Sequence, residues 1–127
     1  MPIAEDDVKK TMEAWLKSQD YTEVEARLGT RQGYDVEGKH PISSKRLVIE
    51  CKGEAMTGSQ HHRSWTNVAS AILTTLNETE VLNNNDVGLA FPDTKEYRDR
   101  MKNLHAFCKR QNILVYWVTE SGQVTQG

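Results

Sequence analysis

Two apolar segments joined by a polar loop are the feature that most constrains the fold of this chain. Residues 33–36 and 47–52 are both typical of strands, with turn-forming residues between them. If the loop is symmetric, the hairpin folds about residues 42 and 43, and Asp35 lies opposite Glu50. Opposed residues on one sheet face have Cβ atoms about 4.5–5.5 Å apart. The spacing therefore predicts two neighbouring carboxylates at one end of the hairpin.

Two like charges at that distance destabilise a sheet unless a positive charge lies between them. A divalent cation is the simplest candidate, because hard cations take carboxylate oxygens as ligands. Lys52 is two residues beyond Glu50, so strand alternation places its ammonium on the same face. Two carboxylates and a lysine on one face suit phosphodiester cleavage. The structural alternative is an ordinary ion pair, which contributes little if it is exposed.

The composition indicates one globular domain. The 127 residues are enough to bury a core, and we expect a single domain over 1–120 and a polar tail over 121–127. The net charge of −2 does not by itself indicate a nucleic-acid-binding protein. Basic residues are nevertheless concentrated in 38–63 and 95–110, either as a basic patch on one side or as solvated faces.

Several classes of protein are disfavoured. No apolar run approaches the length of about 20 residues that spans a membrane, and no secretory signal is expected. Cys51 and Cys108 are isolated, so they indicate neither a disulfide framework nor a CxxC metal site and suit the cytoplasm. No glycine-rich phosphate loop or nucleotide fingerprint is present, so no organic cofactor is expected. A cysteine hydrolase is disfavoured, because alternation turns Cys51 away from the face of Glu50.

Hydrophobic periodicity predicts the element order α-β-β-β-α-β-α-β, a mixed five-stranded sheet of α/β (α+β) type with flanking helices. The first three strands fit an antiparallel meander. The last two follow helical crossovers, so we expect them to run parallel to their predecessors. A single helix, capped by Asp93 or Thr94, is predicted before the last strand. Trp15, Trp65 and Trp117 are predicted to pack in the core.

The pattern of Asp35 followed by Glu50-Cys51-Lys52 at the end of an apolar strand resembles the PD-(D/E)xK nuclease superfamily, whose members have a restriction endonuclease-like fold. Tyr34 stands where the named motif usually has proline. The predicted element order is the one that this resemblance implies for the nuclease core.

The resemblance implies a Mg²⁺-dependent deoxyribonuclease, with Mn²⁺ as a substitute. Asp35 and Glu50 would hold the metal, and the resemblance adds the main-chain carbonyl of Cys51 as a further ligand. Lys52 would position or deprotonate the attacking water, or stabilise charge in the transition state.

The resemblance also implies an acid on the first helix. Glu5 is our choice, because it falls near the centre of the apolar stripe, and Glu13 is the alternative. Some relatives carry a helix-borne glutamine near the metal ligands or the scissile strand, a place that Gln60 would take. The structural alternative for Gln60 is a solvated residue at a helix start.

DNA is the expected partner, and a homodimer is expected by analogy with small relatives that cut both strands. Two alternatives stay open. The first is a catalytically inactive nuclease-like module that binds nucleic acid or a protein. The second is an enzyme on the same scaffold that acts on RNA.

Overall fold

The structure is a computed structural model, and it describes residues 2–29, 33–81 and 85–127. Its helices and strands, in chain order, are α1 (Glu5–Ser18), β1 (Thr22–Ala26), β2 (Val36–Lys39), β3 (Arg46–Cys51), α2 (Gln60–Val81), β4 (Asp86–Pro92), α3 (Lys95–Met101), α4 (His105–Arg110), β5 (Ile113–Val118) and β6 (Val124–Gln126).

Among the described residues the strands form one six-stranded sheet, in which spatial order follows chain order from β1 to β6. The pairs β1–β2, β2–β3 and β5–β6 are antiparallel, whereas β3–β4 and β4–β5 are parallel. The predicted meander followed by parallel strands is confirmed. The predicted count of five strands is wrong, because part of the segment predicted as a tail returns along β5 as β6.

The tail can form a strand because main-chain hydrogen bonds, rather than side-chain packing, pair β6 with β5. The chain reverses at Gly122, whose φ of 88° favours glycine. The N–H of Gln123 donates to the Thr119 hydroxyl oxygen at 2.9 Å, and the N–H of Thr119 donates to the Gln123 carbonyl at 2.9 Å. The side chains of β6 stay largely exposed, so hydrophobic patterning gives no sign of this strand.

Helices cover both faces of the sheet. On one face α1 buries Val8, Met12 and Leu16 and contacts all six strands. On the other face α2, α3 and α4 form a second core, in which Phe91 stacks on Tyr97. The sheet is therefore buried on both sides, as the apolar sequences of β3, β4 and β5 require.

Two local predictions differ from the structure. The helix predicted after Thr94 does begin there, since the Thr94 hydroxyl accepts from the N–H of Tyr97, but it is interrupted after Met101 and resumes as α4. Trp117 is buried and Trp15 packs on a core tyrosine, whereas Trp65 is 56 % exposed. The outer edge of the apolar stripe of α2 faces solvent, since Leu73 is exposed as well.

Within the described ranges, no helix combines the length and the apolarity needed to cross a bilayer.

Candidate active site

The hairpin of β2 and β3 brings Asp35 to the end of β3. Val36 pairs with Ile49, which is the register predicted from a loop centred on residues 42 and 43. Asp35 immediately precedes β2, and one further step of the same register sets it opposite Glu50. The predicted neighbourhood of these two acids is therefore built by the hairpin itself.

The Asp35 carboxylate is held by the backbone of the neighbouring strand. Its Oδ2 accepts a hydrogen bond from the N–H of Cys51 at 2.9 Å. That nitrogen belongs to the peptide that joins Glu50 to Cys51, so the carboxylate lies directly against the Glu50 main chain. The Asp35 side chain is 18 % exposed, which leaves an anionic group fixed at the strand end yet open to a ligand.

Glu50 and Lys52 form a largely buried ion pair beside it. The Lys52 Nζ lies 3.6 Å from the Glu50 Oε1, and the two side chains are 17 % and 16 % exposed. This is the same-face arrangement that strand alternation predicts. Partial burial strengthens the interaction relative to an exposed pair, because water screens it less.

Cys51 contributes its backbone rather than its thiol. The side chain packs in the core beneath α1. Burial, reinforced by the nearby charges of Asp35 and Glu50, raises the pKa of the Cys51 thiol well above its usual range. A neutral, enclosed thiol is a poor nucleophile. In an antiparallel pair one residue directs its N–H and C=O toward the same neighbour, so the Cys51 carbonyl opens on the edge where Asp35 lies.

Glu5, the acid predicted on the first helix, lies on the first turn of α1. Glu5 is linked to Asp35 through Lys9, whose Nζ lies 3.3 Å from the Glu5 Oε2 and 3.5 Å from the Asp35 Oδ1. Burial tends to lower the pKa of Lys9, but Asp35 and Glu5 outweigh this effect and raise it. Lys9 is therefore charged at neutral pH. Glu13, the alternative, lies two turns away and pairs with Lys17 at 3.9 Å.

Gly53 allows the start of α1 to rest on the chain that leaves β3. A Cβ at Gly53 would lie 2.7 Å from the carbonyl carbon of Ala4 and 2.8 Å from the Cα of Glu5. Two hydrogen bonds join the same segments: the Ile3 N–H donates to the Glu54 Oε1 at 3.0 Å, and the Glu54 N–H donates to the Ile3 carbonyl at 2.7 Å. Only glycine permits this approach, which sets the distance between Glu5 and the strand end.

Side chains on the other face of the sheet also hydrogen-bond to the backbone of Gly53. Its carbonyl accepts hydrogen bonds from the Tyr97 hydroxyl and from the Asn67 Nδ2, the latter at 3.2 Å. Asn67 also donates to the Tyr97 oxygen at 2.8 Å. Burial raises the pKa of Tyr97, so its hydroxyl remains a donor. The residue after Lys52 is thus fixed from both sides of the sheet.

Gln60 holds the loop that follows. Its Oε1 accepts from the Ala55 N–H at 2.8 Å, and its Nε2 donates to the Ala55 carbonyl at 2.7 Å. Both ends of the side-chain amide are therefore engaged with the loop backbone at the start of α2. The neighbouring side chains of His62 and Arg63 are exposed, so they present basic groups near a helix N-terminus, where phosphate binds readily.

A divalent metal is compatible with the donor set at the end of β3. In the described part of the chain, no group of three or more His, Cys, Asp or Glu side chains converges as a metal site. Mg²⁺ needs no such group, since it keeps several waters and is bound through one or two carboxylates. Asp35, Glu50 and the Cys51 carbonyl are all hard oxygen donors, and each carboxylate can accept at more than one position. The chemistry of these donors therefore fits Mg²⁺ or Mn²⁺.

The sequence did not predict four contributors to this site, which are Lys9, Gly53, Asn67 and Tyr97. Lys9 occupies a position of the apolar stripe, four residues after Glu5 and three before Met12, and a charged residue there is a usable signal. Asn67 and Tyr97 show no such signal, because their contacts with Gly53 join segments far apart in the chain.

Comparison of the chain with protein-family models, with curated proteins and with solved structures finds no significant match. Its function is therefore inferred from the site.

Proposed function

We propose that this chain is a metal-dependent phosphodiester hydrolase acting on DNA, with a PD-(D/E)xK type of site on a restriction endonuclease-like core. One observation carries the proposal. The β2–β3 hairpin sets the Asp35 carboxylate against the Glu50–Cys51 peptide, while Lys52 lies 3.6 Å from the Glu50 carboxylate. Asp35, Glu50 and Lys52 thus all lie at the end of β3.

The surrounding fold supports the proposal. A helix, an antiparallel three-stranded meander and two further parallel strands occur in the order that the resemblance implies. The sixth strand and the break between α3 and α4 leave this order unchanged. The site lies where β3 ends, and function often concentrates at the carboxyl ends of parallel strands.

Each residue then has a defined task. Asp35 and Glu50, with the Cys51 carbonyl, would hold a Mg²⁺ or Mn²⁺ ion, which supplies Lewis acidity and lowers the pKa of bound water. Asp35 needs no reorganisation to bind a ligand, because the Cys51 N–H already orients it. Lys52 offers a fixed positive charge near the reacting phosphate, either to orient the attacking water or to stabilise the developing negative charge.

Glu5 contributes by position. Its carboxylate approaches Asp35 through Lys9, and Gly53 fixes the start of its helix against the end of β3. Gln60 shapes the loop beside the site through its two hydrogen bonds to Ala55. The exposed Arg63 at the start of α2 is a candidate contact for DNA phosphates.

Plasmid cleavage tests the proposal. Purified protein is incubated with supercoiled DNA in Mg²⁺, in Mn²⁺ and in EDTA. We expect cleavage that requires the metal and that falls by at least about 100-fold in Glu50→Gln, in the range measured when one electrostatic group of an active site is removed. The matched control is Glu23→Gln, because Glu23 lies on β1 and pairs with Lys39 at the surface.

The same assay separates the alternatives. Binding of DNA without cleavage in either metal would favour an inactive nuclease-like module. Two observations are consistent with that alternative, namely the net charge of −2 and the pairing of Glu50 with Lys52. A preference for structured RNA over duplex and branched DNA, measured by competition, would replace the DNA substrate with RNA. Cleavage that persists in Glu50→Gln would contradict the proposed site.

The outer edge of α2 supports the homodimer expected by analogy. Trp65 and Leu73 are 56 % and 71 % exposed and border a shallow apolar groove. From Ser64 to Asn77 the helix carries no charged residue. A second copy related by a two-fold axis would therefore bring no like charges of this helical segment together, and an isologous contact requires a self-complementary surface. Sedimentation should show a dimer that Leu73→Glu converts to a monomer, and a monomeric wild type would remove this part of the proposal.

The proposal places the protein in the cytoplasm. Cys51 and Cys108 are both buried and free, a state that a reducing compartment maintains.

A further inference from the structure

Lys9 is the most enclosed charged side chain of the candidate site. Its residue is 1 % exposed, although lysines normally extend their ammonium group into water. The Nζ donates a hydrogen bond to the Arg27 carbonyl at 2.9 Å. A buried charge is tolerated only where other groups compensate it, so the surroundings of this nitrogen determine its role.

Three carboxylates from two parts of the chain surround the same nitrogen. Glu5 and Asp6, on the first turn of α1, approach it at 3.3 and 3.7 Å. Asp35, which comes from the hairpin, approaches it at 3.5 Å. With the Arg27 carbonyl, the ammonium thus has four oxygen neighbours between 2.9 and 3.7 Å. An all-oxygen environment with several carboxylates is the kind that hard divalent cations also select.

We infer that Lys9 is an internal cation, which occupies the place where Glu5, Asp6 and Asp35 would otherwise bind a divalent ion and which holds Asp35 against the Glu50–Cys51 peptide. The ammonium engages the Asp35 Oδ1 while the Cys51 N–H engages Oδ2. Lys9 is therefore a positioning residue, since it acts through Asp35. This inference rests on the proposed function only in taking Asp35 as a metal ligand.

A consequence follows for the number of metal ions. If the ammonium occupies the α1 side of Asp35, a divalent ion cannot bind this carboxylate from that side. The site then uses one metal ion per chain, and the fixed charge of Lys9 stands in for a second. Removing the ammonium should create a new divalent-cation site from the three carboxylates left behind.

The test replaces Lys9 by methionine, which keeps an unbranched apolar side chain and removes the charge. It is made in a Glu50→Gln background, so that the proposed catalytic metal site is weakened in both proteins. Binding of Ca²⁺ and Mn²⁺ is measured by titration calorimetry, and stability by urea unfolding with and without Ca²⁺. We expect the Lys9→Met protein to bind about one more ion per chain than its Glu50→Gln parent.

Stability should follow the same pattern. At a Ca²⁺ concentration 100 times its Kd, binding to the native state alone raises the folding equilibrium constant about 100-fold. We expect this rescue in the Lys9→Met protein and a much smaller effect in the parent. Equal ion binding and equal Ca²⁺ stabilisation in the two proteins would overturn the inference.

The chain offers a matched pair of controls on the first turn of α1. Asp6 accepts from the Gly29 N–H at 3.0 Å, and asparagine keeps an oxygen for that bond, so Asp6→Asn removes mainly the charge. Asp7 is exposed and is not one of the carboxylates around Lys9. Asp6→Asn should abolish the Ca²⁺ rescue, whereas Asp7→Asn should preserve it. An equal loss of Ca²⁺ rescue in both variants would mean that the effect depends only on the number of acidic residues on this turn, and it would overturn the inference.

A measurement on the wild-type protein covers the case in which the Lys9→Met protein does not fold. Nitrogen-15 correlation spectra of lysine ammonium groups should show one Lys9 signal with slow proton exchange. That signal should keep its protection at saturating Mg²⁺, and loss of protection would mean that the metal displaces Lys9. Ion binding, Ca²⁺ stabilisation and the Lys9 signal can all be measured without DNA cleavage. A protein that does not cleave DNA could therefore still confirm the inference about Lys9. Conversely, failure of these measurements would not contradict cleavage that depends on Glu50.

Discussion

Gly53→Ala is expected to damage both the stability and the site, because the added methyl group meets backbone rather than flexible side chains. The new Cβ would lie 2.7 Å from the Ala4 carbonyl carbon and 2.8 Å from the Glu5 Cα, whereas carbon atoms pack best at about 3.5–4.0 Å. The start of α1 must therefore withdraw by about 0.8 Å or more. The backbone angles of Gly53 do not require glycine, so the cost is one of space alone.

Overpacking of this kind costs about 1–3 kcal/mol. The two hydrogen bonds between Ile3 and Glu54 lengthen as the segments separate, and each contributes about 0.5–1.5 kcal/mol. A total of about 3 kcal/mol is a reasonable expectation. With an m-value of about 1.5 kcal/mol/M, this loss lowers the urea midpoint by about 2 M. The three tryptophans provide the fluorescence signal.

Gly38→Ala is the matched control. A Cβ there would meet the side chains of Val24, Tyr21 and Leu16 at 3.3–3.5 Å, which small rotations relieve, so the change should stay below about 1 kcal/mol. If the proposed function holds, Gly53→Ala should also lower cleavage by up to about 100-fold, because a shift near 1 Å misplaces reacting groups. A Gly53→Ala protein as stable as Gly38→Ala would refute the reasoning about the close approach of α1.

Three further outcomes are expected. Gln60→Ala should cost about 1–3 kcal/mol in urea unfolding, because both polar groups of Ala55 lose their partner, and an unchanged midpoint would show that water replaces the amide fully. The hydrogen bonds from Arg98 lower the pKa of Asp93, so their stabilisation is complete above the unfolded pKa of about 3.9 and is lost as pH falls through the lower folded value. Asp93→Asn should therefore lower the free energy of unfolding by at most about 1 kcal/mol at pH 7, since the pair is partly exposed. The difference should shrink below pH 4, and a constant difference in urea titrations across this range would contradict the assignment. Cys51 should resist alkylation in the native protein at pH 8, because it is buried and its thiol pKa is raised, and rapid native labelling by mass spectrometry would contradict this.

The hairpin and its acids were predictable because they depend on local rules. A symmetric loop fixes the register, and alternation then assigns Glu50 and Lys52 to one face. Strand directions followed equally well from the lengths of the connections. These inferences need only the residues of neighbouring elements, and for this reason they agree with the observed pairing of Val36 with Ile49.

The errors have physical causes that periodicity does not report. The strand β6 is stabilised by main-chain hydrogen bonds and has exposed side chains, so it carries no hydrophobic pattern. The break between α3 and α4 falls within a continuous apolar stripe, because Leu104 and Cys108 both continue it. Trp65 was assigned to the core because it continues the apolar stripe of α2, but it lies on the outer edge of that stripe, which faces solvent. Lys9 and Gly53 acquire their roles only when α1 docks, which is a tertiary event.

The sequential order of the strands has a consequence for how the molecule assembles. Every strand hydrogen-bonds to the one made just before it, so the sheet can grow step by step as the polypeptide lengthens, and helices span the two longest connections. The first helix is the exception, since it touches strands from both ends of the chain. The helix α1 therefore completes its contacts only when β6 has joined the sheet.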